Sequence, residues 1–257
     1  ELLWRALFVR HTDKKIKTLG EFVNCLSGQA NPKAPIWFRG QGRSSWGLTP
    51  SLARNKATSA AESALIKRFK QNALTHLIDR PASEWEWMFL MQHYRLPTRL
   101  LDWTESPLVA LYFAIENSKH KKHDAALWCL DPVALNQHAN INFASNVEIP
   151  AFDHDEILKS YLPSQIAKET TSELNPIAAI GVRNSPRIAA QLGTFTITHR
   201  THTSIESVGD AKHVWRLVVP HLAKPKFMKE LALLRVSNLT LFPELDAVAS
   251  AAMEISK

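Results

Sequence analysis

Residues 92–113 read QHYRLPTRLLDWTESPLVALYF, and this stretch decides much of the fold. It places arginine, histidine and aspartate side chains within an otherwise largely apolar segment. A buried guanidinium or carboxylate disfavours folding unless it is paired. Charges in such a segment are therefore typical of a functional site, and we expect the rest of the chain to be organised around it.

The same stretch predicts a turn, a buried strand and a buried helix in succession. Pro97 keeps the preceding residue out of helical geometry, which predicts a turn. Residues 98–103 have the length and apolarity of a short buried strand. Ser106 is a suitable N-cap and Pro107 a suitable first residue for a helix that continues through Ile115. That helix is apolar on nearly all sides, so we expect it to lie deep in the domain.

The composition is that of a basic, globular chain. It has 257 residues, of which 45% are hydrophobic and 21% charged, and this excludes a disordered chain. Two cysteines are too few for a disulfide framework or a thiolate zinc site, so a reducing cytoplasm is the expected location. No apolar run approaches the roughly 18 residues of a membrane helix, and we expect no membrane partner. Because residue 1 is glutamate, the chain can be part of a longer protein.

The net charge of +7 favours an acidic partner, such as nucleic acid or a phosphate-bearing cofactor. A basic solvated surface explains the charge equally well. The densest basic run is KHKKH at residues 119–123, which we interpret as a solvated loop. His199 and His202 could share a metal, but no third ligand is evident and no metal site is predicted.

Hydrophobic periodicity alternates irregularly between helix and strand along the rest of the chain. Helices are predicted at residues 15–27, 60–77, 226–236, after Ser83 and near residue 242. Strands or extended segments are predicted at residues 36–41, 46–52, 125–131, 187–197 and 213–219. Residues 136–176 are weakly patterned and predict irregular structure or a mobile lid. Without repeats or linkers, we predict a single α+β domain over residues 1–257, with a central mixed or antiparallel sheet flanked by helices.

Several blocks together resemble the FRG domain family. They are WFRGQ at 37–41, WGLTPSL at 46–52, QHYRLPTRLLDWT at 92–104, RIAAQLGTF at 187–195 and LFPELD at 241–246. The family is named after Phe-Arg-Gly, which stands here at residues 38–40. One departure is Arg95, where the family often carries glycine. The resemblance spans nearly the whole chain and implies a toxin or anti-phage defence role, although it implies no particular chemistry.

A weaker, fold-level resemblance is to ADP-ribosyltransferases. Those enzymes place an arginine at the end of a first strand, then a Ser or Thr before a helix, and then Glu or Gln on a later strand. Arg39, Thr98 or Thr104, and Gln191 stand here in that order. The resemblance implies an ADP-ribosyltransferase-like sheet and an NAD-dependent ADP-ribosyltransferase or NAD hydrolase with NAD as its substrate.

Cleavage of the nicotinamide–ribose bond develops positive charge on the ribose, so the site needs cations for the pyrophosphate, polar groups for the ribose and aromatic rings for the nicotinamide. The resemblance and this chemistry give as catalytic residues Arg39, His93, Asp102 and Gln191. They give as NAD-binding residues Arg39, Tyr94, Thr98, Arg99 and Trp103. No catalytic carboxylate is evident on the last strand, so Asp102 or Glu84 would have to supply that charge.

We expect Arg39, His93, Arg99 and Asp102 to converge on one pocket, because charges in an aromatic core need partners. Asp102 is also explained as the buried partner of Arg99. The expected target of transfer is an acidic macromolecule, DNA or RNA, or a protein. The alternative function is a non-catalytic module that binds nucleic acid or a nucleotide.

Overall fold

The computed structural model describes residues 13–28, 35–141, 143, 148–169, 171–183 and 185–254. The strands are β1 (Lys14–Lys15), β2 (Trp37–Gln41), β3 (Leu100–Thr104), β4 (Ala125–Leu130), β5 (Ile177–Ala179), β6 (Gly193–Ile197) and β7 (Val214–Val219). In this part of the chain they form one open sheet in the order β1-β7-β4-β2-β3-β6-β5. The pair β1–β7 is parallel and the other neighbours are antiparallel. The predicted α+β fold with a mixed sheet is confirmed.

Helices pack against this sheet. In chain order they are α1 (Leu19–Ser27), α2 (Lys56–Ala60), α3 (Glu62–Ala73), α4 (Glu84–His93), α5 (Pro107–Ile115), α6 (Pro132–His138), α7 (Pro163–Ile166), α8 (Pro186–Ala190), α9 (Lys224–Leu233), α10 (Asn238–Leu241) and α11 (Leu245–Glu254). Short 3-10 turns add Ser51–Arg54, Leu74–His76, Ser118–His120, Glu156–Tyr161, Ile205–Ser207 and His221–Ala223.

The elements predicted from the central stretch are confirmed. The turn lies at Tyr94 and Arg95, just before Pro97, strand β3 begins two residues later than predicted, and α5 begins at Pro107 with the Ser106 hydroxyl accepting from the amide of Val109. Six of the nine residues of α5 are buried, as its uniform apolarity predicts. Helix α4 also begins as expected, capped by Ser83.

Several predicted elements are wrong in type or in bounds. Residues 46–52, which were predicted to be extended, form no strand: the chain turns earlier, at Ser44 and Ser45, and enters the 3-10 turn Ser51–Arg54. The first half of 187–197 is helix α8, which Ser185 caps and Pro186 begins. The helix predicted at 15–27 starts at Leu19, because Lys14 and Lys15 pair with β7.

The helix predicted at 60–77 is interrupted at Ala61 between α2 and α3 and ends in the turn Leu74–His76. The helix predicted near residue 242 begins at Leu245. The weakly patterned residues 136–176 contain the turn Glu156–Tyr161 and helix α7, and part of this range lies outside the described residues.

Helix α5 packs directly on the backbone of β2, and Gly40 makes this approach possible. A Cβ atom at Gly40 would lie 1.9 Å from the Ala110 carbonyl oxygen and 2.5 Å from the Ala114 nitrogen. A side chain there would therefore push strand and helix apart. The close contact fixes β2, and with it the neighbouring Arg39, relative to the buried helix.

The middle of the sheet opens between β2 and β3. Strand β2 pairs with β4 along its whole length, but its pairing with β3 is confined to Phe38 opposite Thr104. Beyond that pair the two strands diverge, although β3 remains fully paired with β6. The sheet thus contains a cleft, and Arg39 stands at its start.

Helix α4 ends in a turn that explains why glycine suits position 95. Arg95 has φ of 62°, in the left-handed region that glycine adopts most easily. Its amide donates to the Gln92 carbonyl at 3.0 Å, and the Leu96 amide donates to the Met91 carbonyl at 2.9 Å. These two bonds form a Schellman motif. Arg95 therefore forms the turn at a cost in backbone strain.

Candidate functional site

The cleft between β2 and β3 leads into a cavity of about 1400 Å³. Small-molecule sites are usually about 300–1000 Å³, so there is room for a large ligand. Strands β2 and β3, the C-terminal halves of α4 and α5, and helix α8 form its walls. Of the residues predicted for the site, the walls include Arg39, His93, Tyr94, Asp102, Trp103 and Gln191.

Arg39 is held at the opening of the sheet with a side chain that is only 16% exposed. Its Nη1 donates to the Asp102 main-chain oxygen at 2.5 Å and lies 4.0 Å from the Asp102 Oδ2. Its Nε is buried and has no hydrogen-bond partner among the described residues. Burial lowers the pKa of Arg39 to about 10, with Asp102 opposing the shift and Arg54 adding to it. One donor of the guanidinium is therefore unsatisfied among these residues, and the Arg39 side chain lines the cavity.

Arg54 supplies a second guanidinium in the same cavity. Its Nε donates to the Thr49 carbonyl at 3.2 Å, and no carboxylate in the described part of the chain forms an ion pair with it. Two like charges near one another are unfavourable unless an anion lies between them. Arginine forks suit phosphate oxygens in particular. This end of the cavity is thus suited to a phosphate-bearing ligand.

Asp102 points into the cavity from β3 and is 57% exposed. Its Oδ2 accepts a hydrogen bond from Gln92 Nε2 at 2.9 Å. Gln92 thereby orients the carboxylate beside Arg39, a positioning role that the sequence did not reveal.

The expected pairing of Asp102 with Arg99 is wrong. The Arg99 side chain is 3% exposed and binds Glu62 of α3, with Nε 2.8 Å from Oε1 and Nη2 bonded to Oε2. A third bond joins Nη1 to the Thr198 carbonyl at 3.0 Å. Arg99 precedes β3 and projects toward α3, whereas Asp102 projects into the cavity. Arg99 is therefore part of the buried support of the site and does not line it.

Thr98 also lies outside the cavity lining. It is buried, its amide donates to Ser51 Oγ at 3.2 Å, and its hydroxyl donates to Gln92 Oε1. Thr104, the other candidate, lines the cavity and donates to the Gln191 carbonyl at 2.6 Å. The contacts thus place Thr98 behind the site and Thr104 in its wall.

His93 and Tyr94 form the cavity wall at the end of α4. The two rings meet edge to face with centroids 5.0 Å apart, and Tyr94 is 59% exposed. His93 Nε2 is 4.0 Å from Glu244 Oε1. Burial lowers the pKa of His93, Arg187 lowers it further and Glu244 opposes the shift. His93 is therefore neutral near pH 7 and able to accept a proton.

Gln191 and Trp103 border the cavity with side chains that are already engaged. Gln191 does not lie on a strand, as the resemblance implied, but is the C-cap of α8 two residues before β6, and its Nε2 donates to the Leu241 carbonyl at 2.9 Å. Trp103 is 3% exposed and its indole donates to Thr196 Oγ1 at 3.0 Å. The amide oxygen of Gln191 remains an acceptor, while the buried indole contributes packing.

Of two further carboxylates, Glu116 and Glu84, only the first lines the cavity. Glu116, at the end of α5, lines the cavity, and burial raises its pKa. Nothing in the sequence predicts this position for Glu116, because it follows an apolar helix without any distinctive motif. Glu84, considered as a source of negative charge, instead binds the amide and hydroxyl of Ser164 at 3.1 and 2.6 Å and does not line the cavity.

The described residues contain no cluster of three or more metal-ligating side chains. His202 bonds to Ser59 through Nε2 and to Thr198 through Nδ1, both at 2.9 Å. His199 Nδ1 accepts from the Leu174 amide at 3.4 Å.

Within the described residues, no helix is long and apolar enough to cross a bilayer.

Comparison with known proteins identifies a family for the part of the chain that forms the cleft. No curated protein and no solved structure matches the chain. The family model of the FRG domain matches residues 34–123. That range holds β2, β3, α4, α5 and both arginines at the opening of the sheet. Residues 34–123 therefore correspond to an FRG domain, and its Phe-Arg-Gly tripeptide places Arg39 at the mouth of the cleft.

Proposed function

We propose that the chain is an NAD-dependent ADP-ribosyltransferase or NAD hydrolase. The observation that carries the proposal is Arg39, whose buried Nε lacks a partner in the described residues while Arg54 stands beside it without a carboxylate. Two arginine forks in one large cavity suit the two phosphates of a dinucleotide. The cavity volume of about 1400 Å³ leaves room for an acceptor as well.

The residues of the cavity match the needs of nicotinamide–ribose cleavage. Nicotinamide leaves with the electron pair of its bond to C1′, and positive charge develops on the ribose. The Asp102 carboxylate, oriented by Gln92, stabilises that charge. An acceptor oxygen or nitrogen then attacks C1′ and loses a proton, which neutral His93 can take. With water as the acceptor, the products are ADP-ribose and nicotinamide.

The remaining predicted residues have supporting roles in this proposal. Tyr94 offers an exposed ring to the nicotinamide, and the Gln191 amide oxygen can accept from a ribose hydroxyl. The resemblance to FRG domains supports a role as a bacterial toxin or anti-phage defence effector in the cytoplasm. The target in this proposal is a nucleic acid or a protein.

Release of nicotinamide tests the proposal. The purified protein is incubated with NAD alone and with DNA, RNA or cell lysate, and nicotinamide is quantified by chromatography. Wild type should release it, Arg39→Ala should lose most of the activity, and the matched control Arg68→Ala on the exposed face of α3 should retain it. Absence of nicotinamide release from wild type with every target, or equal release from Arg39→Ala, would refute the proposed enzymatic activity.

A second candidate function is non-catalytic binding of a nucleotide or nucleic acid. The observation that favours it is the exposure of Asp102, because water screens a carboxylate that is 57% exposed and weakens its effect on a developing cation. The two functions are separated by product. A protein that binds NAD in a calorimetric titration but releases no nicotinamide would support this second function.

A further inference from the structure

An exposed tryptophan and a basic loop stand side by side at the edge of the cavity. We call Arg43, Trp46 and residues 119–123 together the basic rim. Trp46 is 42% exposed, with the Arg43 guanidinium 5.7 Å from its ring centroid and the His120 ring edge-on at 4.9 Å. Trp46 and His120 also line the cavity, so the basic rim is continuous with the site.

The segment that carries Trp46 is fixed in place on both sides. The Ser44 amide donates to the Asp124 carbonyl, and Arg216 Nη1 donates to the Ser44 carbonyl, both at 2.7 Å. Gln41 Nε2 donates to the Gly47 carbonyl at 3.1 Å. Such anchoring means that little conformational freedom is lost when a ligand binds. Trp46 is therefore a preorganised surface.

Lys224 joins the two halves of the basic rim. Its Nζ is buried and donates to the Gly42 carbonyl at 3.1 Å and to the His120 carbonyl at 2.9 Å. Burial lowers the pKa of this ammonium. One buried cation thus holds the strand end that leads to Trp46 against the basic loop.

The positive charge of the rim is not neutralised by the protein. Within the described residues, Lys119, Lys121 and Lys122 have no ion pair with a carboxylate. Lys121 and Lys122 are exposed. Burial and then the charges of Arg43 and Lys224 lower the pKa of His120, and no acidic group opposes them. This balance favours a polyanion, and the exposed indole favours one that carries aromatic bases.

We propose that the basic rim binds single-stranded nucleic acid, with a base stacked on Trp46 and phosphates on Lys121 and Lys122. A duplex fits less well, because its bases are already stacked and must be extruded to reach an indole. The bound strand leads a neighbouring nucleotide into the cavity, where it becomes the acceptor of ADP-ribose. This last step rests on the proposed function, whereas binding of the strand does not.

Binding without NAD tests the inference. Fluorescence anisotropy is measured with a labelled DNA strand, an RNA strand of the same sequence, the DNA duplex and a poly-glutamate peptide. The single strands should bind, and Trp46→Ala should weaken binding about tenfold or more, because a stacked base is lost. Trp46→Phe should restore most of the affinity, which controls for damage to the loop. Whichever single strand binds more tightly, DNA or RNA, identifies the target and supports the inference.

The contribution of Lys121 and Lys122 is tested separately, through the salt dependence of strand binding. For single strands the slope of log K against log salt changes by about 0.7 for each phosphate contact, so Lys121→Ala/Lys122→Ala should reduce it by about 1.4. The matched control Lys168→Ala/Lys229→Ala removes two exposed lysines that have no ion pair among the described residues and do not line the cavity, and it should leave the slope unchanged.

Equal binding by wild type and Trp46→Ala would overturn the inference. Tighter binding of the duplex or of poly-glutamate than of either single strand would overturn it too, since stacking would play no part. Nicotinamide release without any strand binding would refute nucleic-acid binding by the basic rim and leave the proposed function intact. Strand binding without nicotinamide release would support nucleic-acid binding by the basic rim and refute the proposed enzymatic activity.

Discussion

The buried pair of Arg99 and Glu62 makes a quantitative prediction about stability. Arg99 is 2% exposed, and Glu62 is its carboxylate partner. Glu62→Ala leaves the guanidinium buried without a counter-charge, keeping only its bond to the Thr198 carbonyl. Removal of one partner of a buried pair costs about 3–5 kcal/mol. We expect a loss of about 3 kcal/mol, because the Glu62 side chain is 15% exposed and water can enter where it was.

Asp102→Ala is the matched comparison, since it also removes one carboxylate. Asp102 is 57% exposed, and its contacts are a hydrogen bond from Gln92 and a 4.0 Å approach to Arg39. Exposed pairs contribute about 0–1 kcal/mol, so the fold should lose no more than that. The paired arrangement expected from the sequence would instead make Asp102→Ala the more damaging change.

Urea unfolding followed by tryptophan fluorescence distinguishes the two. With a slope of about 3 kcal/mol per molar, Glu62→Ala should lower the midpoint by about 1 M and Asp102→Ala by about 0.3 M or less. Glu62→Gln should fall between wild type and Glu62→Ala, because it keeps an acceptor but not the charge. A larger loss for Asp102→Ala than for Glu62→Ala would refute the assignment of Arg99 to α3.

Arg95→Gly should raise stability by about 0.5–1 kcal/mol in thermal melts, because it relieves the left-handed φ of 62° at some cost in unfolded-state entropy. Arg235→Gly, at φ of 61° in the same kind of helix end, is its control, and a loss of stability in both would contradict the strain argument. Gly40→Ala should cost about 2 kcal/mol or more, because its Cβ would meet the Ala110 carbonyl at 1.9 Å; an unchanged urea midpoint would show that strand and helix can separate freely. Burial lowers the pKa of His202 from 6.5 to about 4. Between these pH values the unfolded state binds a proton that the folded state does not bind. The free energy of unfolding should therefore fall as the pH drops from about 6.5 to 4. Unfolding measured across that range should show a smaller fall in His202→Gln, and an equal fall in both proteins would assign the loss to other groups.

The parts of the fold that sequence reasoning captured are those set by local signals. The turn just before Pro97, strand β3 and the cap at Ser106 each depend on a few adjacent residues. Helix α8 shows the limit of the same approach. Its Ser185–Pro186 start was present in the sequence, but the β-branched residues that follow it favoured a strand across the whole segment.

The contacts of the site depended on positions far apart in the chain. Arg99 and Asp102 are three residues apart, and this proximity in the sequence favoured the prediction that they pair. The partner of Arg99 is instead Glu62, supplied by a helix whose packing no local pattern specifies. Likewise, the position of Arg54 beside Arg39 depends on the path that the chain takes after β2. The cleft arises because β2 pairs with β3 at one position only. Sheet order and divergence are long-range properties, which periodicity does not encode.

In the proposed function, Arg39 and Arg54 hold the pyrophosphate of NAD at the opening of the sheet. Calorimetric titration with ADP-ribose, which has the pyrophosphate, and with nicotinamide riboside, which lacks it, tests this role of the two arginines. Charge-assisted hydrogen bonds contribute about 1.5–3 kcal/mol, so Arg39→Ala and Arg54→Ala should each weaken ADP-ribose binding about 10- to 100-fold. Binding of nicotinamide riboside, whether weak or strong, should be unchanged in both. Equal affinity of wild type and Arg39→Ala for ADP-ribose would contradict binding of the pyrophosphate by Arg39.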